Sequence, residues 1–122
     1  EVNLVEDNPD KLISFTDLEL KGNQFRGKSW DDQCQKICET LPENVYVTLD
    51  IDGLNPALCP NTGTPVPGGL QFEEVVYLLS EIVSSGRNIV AGDVIEVGSG
   101  EWDGNVGARL LFHVLGMLYL SE

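Results

Sequence analysis

The chain has 122 residues, 42% of them apolar, which suits one small domain with a packed core and argues against disorder. A formal net charge of −13, from 20 acidic against 7 basic residues, argues against nucleic acid and anionic membrane as partners, because both demand a basic surface. No segment approaches the roughly 20 apolar residues of a membrane span, and no signal peptide is evident.

The chain opens at Glu1 in a polar stretch without a starting Met, an expectation that sequence upstream is missing. Residues 12–20 (LISFTDLEL) alternate in polarity and predict a first strand. After a loop, Ser29 reads as a helix N-cap with Asp32 as its capping-box partner. Trp30, Cys34, Ile37, Cys38 and Leu41 share one face of that helix, and Pro42 ends it. Residues 45–51 (VYVTLDI) predict a β-branched strand covered on both faces. A Pro/Gly loop fills 53–69. An amphipathic helix follows over 71–85, with Phe72, Val75, Val76, Leu79, Ile82 and Val83 on its stripe and Gly86 at its stop. A buried-type strand over 88–97 and a last helix over 105–120, apolar on most sides, complete the chain. The order strand, helix, strand, helix, strand, helix predicts an α/β fold with a parallel sheet, as a partial βαβαβα unit.

Cys34, Cys38 and Cys59 are an odd count without small-scaffold spacing and read as free thiols in a reducing, cytoplasmic compartment. Cys34 and Cys38 are four apart, with no second Cys or His pair to complete a zinc site, so they read as buried helix thiols.

Ligands of open parallel sheets sit beyond the carboxyl ends of the strands. Asp50 and Asp52 end one strand and, two residues apart, point to one side; Glu96 ends the next. Three gathered carboxylates repel unless protons or cations intervene, and a pair of divalent ions is a common answer. Asp93 reads as structural, paired with a nearby amide or cation, and Asp103 as a cap or dipole partner of the last helix. A calcium loop counted from Asp50 fails, because its fifth, sixth and twelfth positions are Leu54, Asn55 and Asn61. The Asp-x-Asp-Gly strand end also resembles the haloacid-dehalogenase-like phosphatases, with Asp50 as nucleophile. That pattern expects Thr where Leu54 stands, and a later lysine, yet no Lys follows Lys36. A non-catalytic α/β module whose acids hold a structural cation is a third reading.

Three stretches, TLDIDGLNP with PNTGTPVPGG, then GDVIEV, then DGNVGARLLFHVLG, closely resemble the ureohydrolases, the family of arginase, agmatinase and formiminoglutamase. The resemblance runs from about residue 12 to the end. It implies a three-layer α-β-α fold with a parallel sheet, of which residues 1–122 form a single partial domain, the carboxyl-terminal half. It implies a binuclear manganese (Mn2+) site with Asp50 and Asp52 as ligands, Asp50 bridging, and Thr64 and Glu96 lining a guanidinium pocket. The implied chemistry is attack of a metal-activated hydroxide on an amidine-type carbon of a small guanidino substrate such as agmatine or arginine. Asn55, Asn61 and the GSGEW stretch depart from the family pattern, which leaves the substrate subgroup open. The family site also needs a His, an Asp-x-His-x-Asp segment and a reaction-centre His from upstream. This chain has one histidine, His113, which reads as a helix-packing residue, with Arg109 at a subunit contact or in solvent. The expectation is therefore an inactive, homo-oligomeric or aggregation-prone portion of a ureohydrolase.

Overall fold

A computed structural model describes residue 4 and residues 7–121. The chain divides into two compact units, one reaching Thr40 and the other beginning at Leu41.

The first unit is helical where a strand was expected. Residues 12–16 are irregular, and helix α1 spans Asp17–Phe25. Thr16 caps it, its hydroxyl oxygen accepting the Glu19 amide at 3.3 Å, and Asp17 and Glu19 place acids in the positive first turn. Alternation alone misled: of the apolar residues in this stretch only Leu20 is buried, whereas Leu18 is 85% exposed. Helix α2, Trp30–Thr40, carries the expected capping box. The Ser29 hydroxyl accepts the Asp32 amide at 3.0 Å, and Asp32 Oδ2 accepts the Ser29 amide at 2.9 Å. The Ser29 hydroxyl, donating to Asp32 Oδ2 at 2.7 Å, and then the Ser29 amide hold the Asp32 carboxyl below the usual aspartate value. Cys34 and Cys38 are buried on this helix, outside any disulfide.

The second unit alternates strand and helix. Strand β1, Asn44–Asp50, pairs in parallel with β2, Asn88–Ile95, in a register that runs from Asn44 opposite Asn88 to Asp50 opposite Ile95. Val90 is the extra residue of a bulge near the start of that ladder. A 3-10 turn over Ile51–Gly53, the long loop and helix α3, Phe72–Ser84, connect the two strands. Gln71 and Glu74 form the capping box of α3, and Gly86, at φ 84°, follows its end. Helix α4, Glu101–Leu120, begins earlier than its pattern predicted, with Gly100 at its N-cap and Glu101 and Asp103 in its first turn.

The core is the expected apolar stripe of α3 (Val75, Leu79, Ile82), the inner strand positions Val45 and Ile89, and Val106, Leu110 and Val114 of α4. Each such side chain contributes about 1.5–3 kcal/mol by leaving water. Helix α4 packs on β2 and α3. Its approach to β2 requires Gly92, where a Cβ would stand 2.8 Å from Val114 Cγ1. The sheet is not covered as fully as the sequence suggested, because Tyr46 and Val90 are more than half exposed. Among the described residues, no helix is long and apolar enough to cross a membrane.

Candidate functional site

The site stands at the carboxyl end of the two strands. Asp50 is the last residue of β1 and caps the 3-10 turn, its Oδ1 accepting the Asp52 amide at 3.1 Å. Asp52, inside that turn, accepts a hydrogen bond from the Thr64 hydroxyl through Oδ2. Each carboxylate thus spends one oxygen locally and keeps a second for a ligand.

Glu96 enters from the neighbouring strand. Ile95 is the register partner of Asp50, so Glu96 lies one residue past the end of the ladder. Its backbone is left-handed, with φ at 59°, a conformation that L side chains other than Asn and Asp seldom adopt. This turn brings its carboxylate toward the loop: a Cβ built on Gly63 would lie 3.5 Å from Glu96 Oε2. Strain of this kind costs about 1–3 kcal/mol and collects at functional positions.

The long loop is fixed at both ends. Its base is closed by Asn55 N–H to Leu70 O at 2.9 Å and Leu70 N–H to Gly53 O at 3.1 Å. Gly69, at φ 82°, passes so close that a Cβ there would stand 2.5 Å from the Leu54 carbonyl carbon. The Asn55 side chain accepts the Ala57 amide at 2.9 Å, so this departure from the family pattern makes a local turn. At the tip the Thr62 hydroxyl donates to the Glu96 carbonyl at 2.8 Å. Fully buried Asp103 accepts both the Asn61 amide, at 3.0 Å, and the Asn61 side-chain amide, at 2.7 Å. Cys59, within the loop, is buried; burial, then the charges of Asp103, Asp52 and Asp50, push its thiol above the usual value.

The sequence-predicted residues Asp50, Asp52, Thr64 and Glu96 therefore share one end of the sheet. Asp93 is structural, accepting the Tyr46 hydroxyl at 2.5 Å and the Thr48 hydroxyl at 2.6 Å. His113 packs edge-on against Phe72, with ring centroids 5.8 Å apart. Exposed Arg109 donates to Asn105 Oδ1 at 2.9 Å. The Asn61–Asp103 pair escaped the sequence reading, although Asn61 and GSGEW were both visible as departures.

As a metal centre the arrangement is partial. Carboxylate oxygens suit a hard divalent ion in kind. Among the described residues, however, no group of three or more His, Cys, Asp or Glu is placed to hold one. Asp50 and Asp52 fit one edge of such a centre and do not complete it.

The Arginase family model matches residues 19–117. The chain is 44% identical over 85 residues to the agmatinase of Pyrococcus horikoshii, covering 66% of this chain and 29% of that enzyme. It is 39% identical over 84 residues to the N(1)-aminopropylagmatine ureohydrolase of Thermus thermophilus, covering 67% of this chain and 28% of that enzyme. Its fold is similar to the crystal structure of arginase from Bacillus subtilis, with a TM-score of 0.77 at 22% identity, over 95% of this chain and 40% of that one. The chain thus spans under a third of the curated relatives it matches. With the family pattern matched along most of its length, the chain belongs to the arginase family.

Proposed function

We propose that this chain supplies one part of a manganese-dependent ureohydrolase that hydrolyses the guanidino C–N bond of a small substrate such as agmatine or arginine. The observation that carries this reading is the shared position of Asp50, Asp52, Thr64 and Glu96, in a chain whose relatives bear the names agmatinase and N(1)-aminopropylagmatine ureohydrolase. Asp50 and Asp52 would hold manganese, as carboxylate oxygens suit a hard divalent ion. A bound metal pair supplies Lewis acidity and a water of lowered pKa for attack on the amidine carbon.

The chain's own residues favour a donor-only cation. Thr64 spends its one hydroxyl proton on Asp52, so toward a third partner its oxygen can only accept. Glu96 is likewise an acceptor when ionised. A guanidinium offers N–H donors and no acceptor, so it matches both groups, and its pairing with Glu96 is charge-assisted. The rigid loop holds Thr64 with little freedom to lose on binding.

In this reading the 122-residue chain is inactive by itself, because it brings two aspartates to the metals and its single histidine packs on Phe72. The complete protein acts in the cytoplasm, which three cysteines outside any disulfide support, and it self-associates through the exposed apolar residues of α4, Phe112, Leu115 and Tyr119. The test is urea release from agmatine and arginine, with manganese, by this chain alone and by the polypeptide with upstream sequence restored. Turnover by the longer protein alone supports the reading. No urea from either guanidine, with a trapped phospho-aspartate at Asp50, would move it to the phosphatase reading.

A further inference from the structure

Four consecutive loop residues engage three walls of the site. Asn61 bonds to Asp103 of α4, Thr62 to the Glu96 carbonyl, Gly63 lies against the Glu96 carboxylate, and Thr64 bonds to Asp52. The first of these is the most deeply built. Asp103 is 0% exposed, sits in the first turn of α4 and gives both carboxylate oxygens to Asn61. A helix N-terminus favours that negative charge.

The glycines of the GSGEW stretch belong to the same unit. A Cβ on Gly98 would lie 2.2 Å from Asn61 O, and one on Gly100 would lie 2.2 Å from Asn61 Nδ2 and 2.8 Å from Asp103 Oδ1. The backbone after Glu96 can pass Asn61 only because both positions lack side chains. Asn61 and the GSGEW stretch, apparently separate departures in the sequence, are therefore one fitted contact.

We propose that Asn61 and Asp103 form a positioning pair that sets where Thr64 and Glu96 stand relative to each other. Neither touches the substrate in this role. Asp103 fixes the loop at Asn61, and the Thr62 hydroxyl then ties the same loop to the backbone of Glu96. The spacing between the Thr64 hydroxyl and the Glu96 carboxylate is thereby held by α4. The kinetic consequence rests on the guanidinium reading given above; the placement of the loop does not.

The test has two arms, each with Asn61→Gly, Asp103→Asn and the exchanged double variant Asn61→Asp/Asp103→Asn. Asn61→Gly keeps the backbone bond to Asp103 and guards against loss of folding; the exchange restores a donor opposite an acceptor. In the 122-residue chain, amide hydrogen exchange at Thr62 should speed up about tenfold in Asp103→Asn and less in Asn61→Gly. The β1–β2 ladder amides should hold their wild-type rates, and the exchanged pair should recover most of the protection. Equal acceleration throughout the ladder, or no recovery in the exchanged pair, would overturn the proposal. In the longer protein, kcat with a guanidino substrate should fall more than KM rises in Asp103→Asn, and return in the exchanged pair. A wild-type protein without turnover of guanidino compounds would sink the functional reading, while the exchange arm still decides the pair.

Discussion

The Thr64 hydroxyl donates to the Asp52 carboxylate across a separation of twelve residues along the loop. The bond links the loop to the end of β1 and consumes the only proton Thr64 can give. Thr64 is exposed, so Thr64→Val should change the stability of the chain by less than about 0.5 kcal/mol. Under the proposed function, in a longer ureohydrolase, the same change should lower kcat/KM by about ten- to a hundredfold, the cost of leaving a charged donor without its acceptor. Thr64→Ser keeps the hydroxyl and should retain most of the activity. Denaturant melts with steady-state kinetics on agmatine and arginine check both statements; wild-type kinetics in Thr64→Val would remove this residue from the guanidinium site.

Glu96 sets stability against function at one position. Its φ of 59° is comfortable for glycine and strained for glutamate. Glu96→Gly should therefore leave the fold as stable or more stable, by up to about 1 kcal/mol, once the greater chain entropy of glycine is counted. Under the proposed function, the same variant should abolish guanidine turnover in the longer protein. A marked loss of stability on urea denaturation would mean that the Glu96 side chain supports the fold, not the site.

Asp93 gives the sheet a defined response to acid. Hydrogen bonds from Thr48, then Tyr46, hold its carboxyl below the ordinary aspartate value, and the same bond to Asp93 raises the Tyr46 phenol above its own. For a carboxyl lowered by folding, the stabilisation is complete above the unfolded value and is lost as pH falls through the folded one. For a phenol raised by folding, it is present below the unfolded value and is lost as pH rises through the folded one. The Tyr46–Asp93 bond should thus persist across the neutral range and fail at both extremes. Carbon-detected NMR titration should show Asp93 moving toward ordinary aspartate behaviour in Thr48→Val and Tyr46→Phe; an unchanged midpoint in both would contradict the hydrogen-bond origin of the shift.

Much of the second unit was legible because its local signals agreed. β-Branched residues, the apolar stripe of α3 and the stop at Gly86 all pointed to β1, α3 and β2, and the Asp-x-Asp strand end located the site. The first unit was misread where two signals conflicted. Residues 12–20 alternate like a strand, but Thr16 followed by Glu19 is also a helix-start pattern, and capping prevailed. Helix α4 began unrecognised because its first turns contain Gly104 and Gly107 and follow a Gly-rich stretch, composition that reads as loop. The left-handed turn at Glu96 has no residue signature, and the Asn61–Asp103 contact joins positions 42 apart. Such pairings arise from tertiary packing and leave no local pattern.

If the proposed function holds, manganese and mass should separate this chain from a longer ureohydrolase. A binuclear site needs several deprotonated ligands, commonly with imidazole among them. The described residues offer Asp50 and Asp52 on one turn, and His113 is engaged against Phe72 on another element. Calorimetric titration of the 122-residue chain should therefore find weak manganese binding, well short of two ions held tightly. Among the described residues the sheet is two strands wide, and Tyr46 and Val90 expose apolar surface on it. Helix α4 adds Phe112 at 74% and Tyr119 at 77% exposure. Unpaired strand edges and apolar patches of this kind favour association with another chain. Sedimentation should show dimers or larger species whose share falls on dilution, and Phe112→Ser with Tyr119→Ser should shift the chain toward monomer. Tight binding of two ions per chain would show that no further ligands are needed. A monomer at all concentrations would show that these exposed faces are tolerated in water.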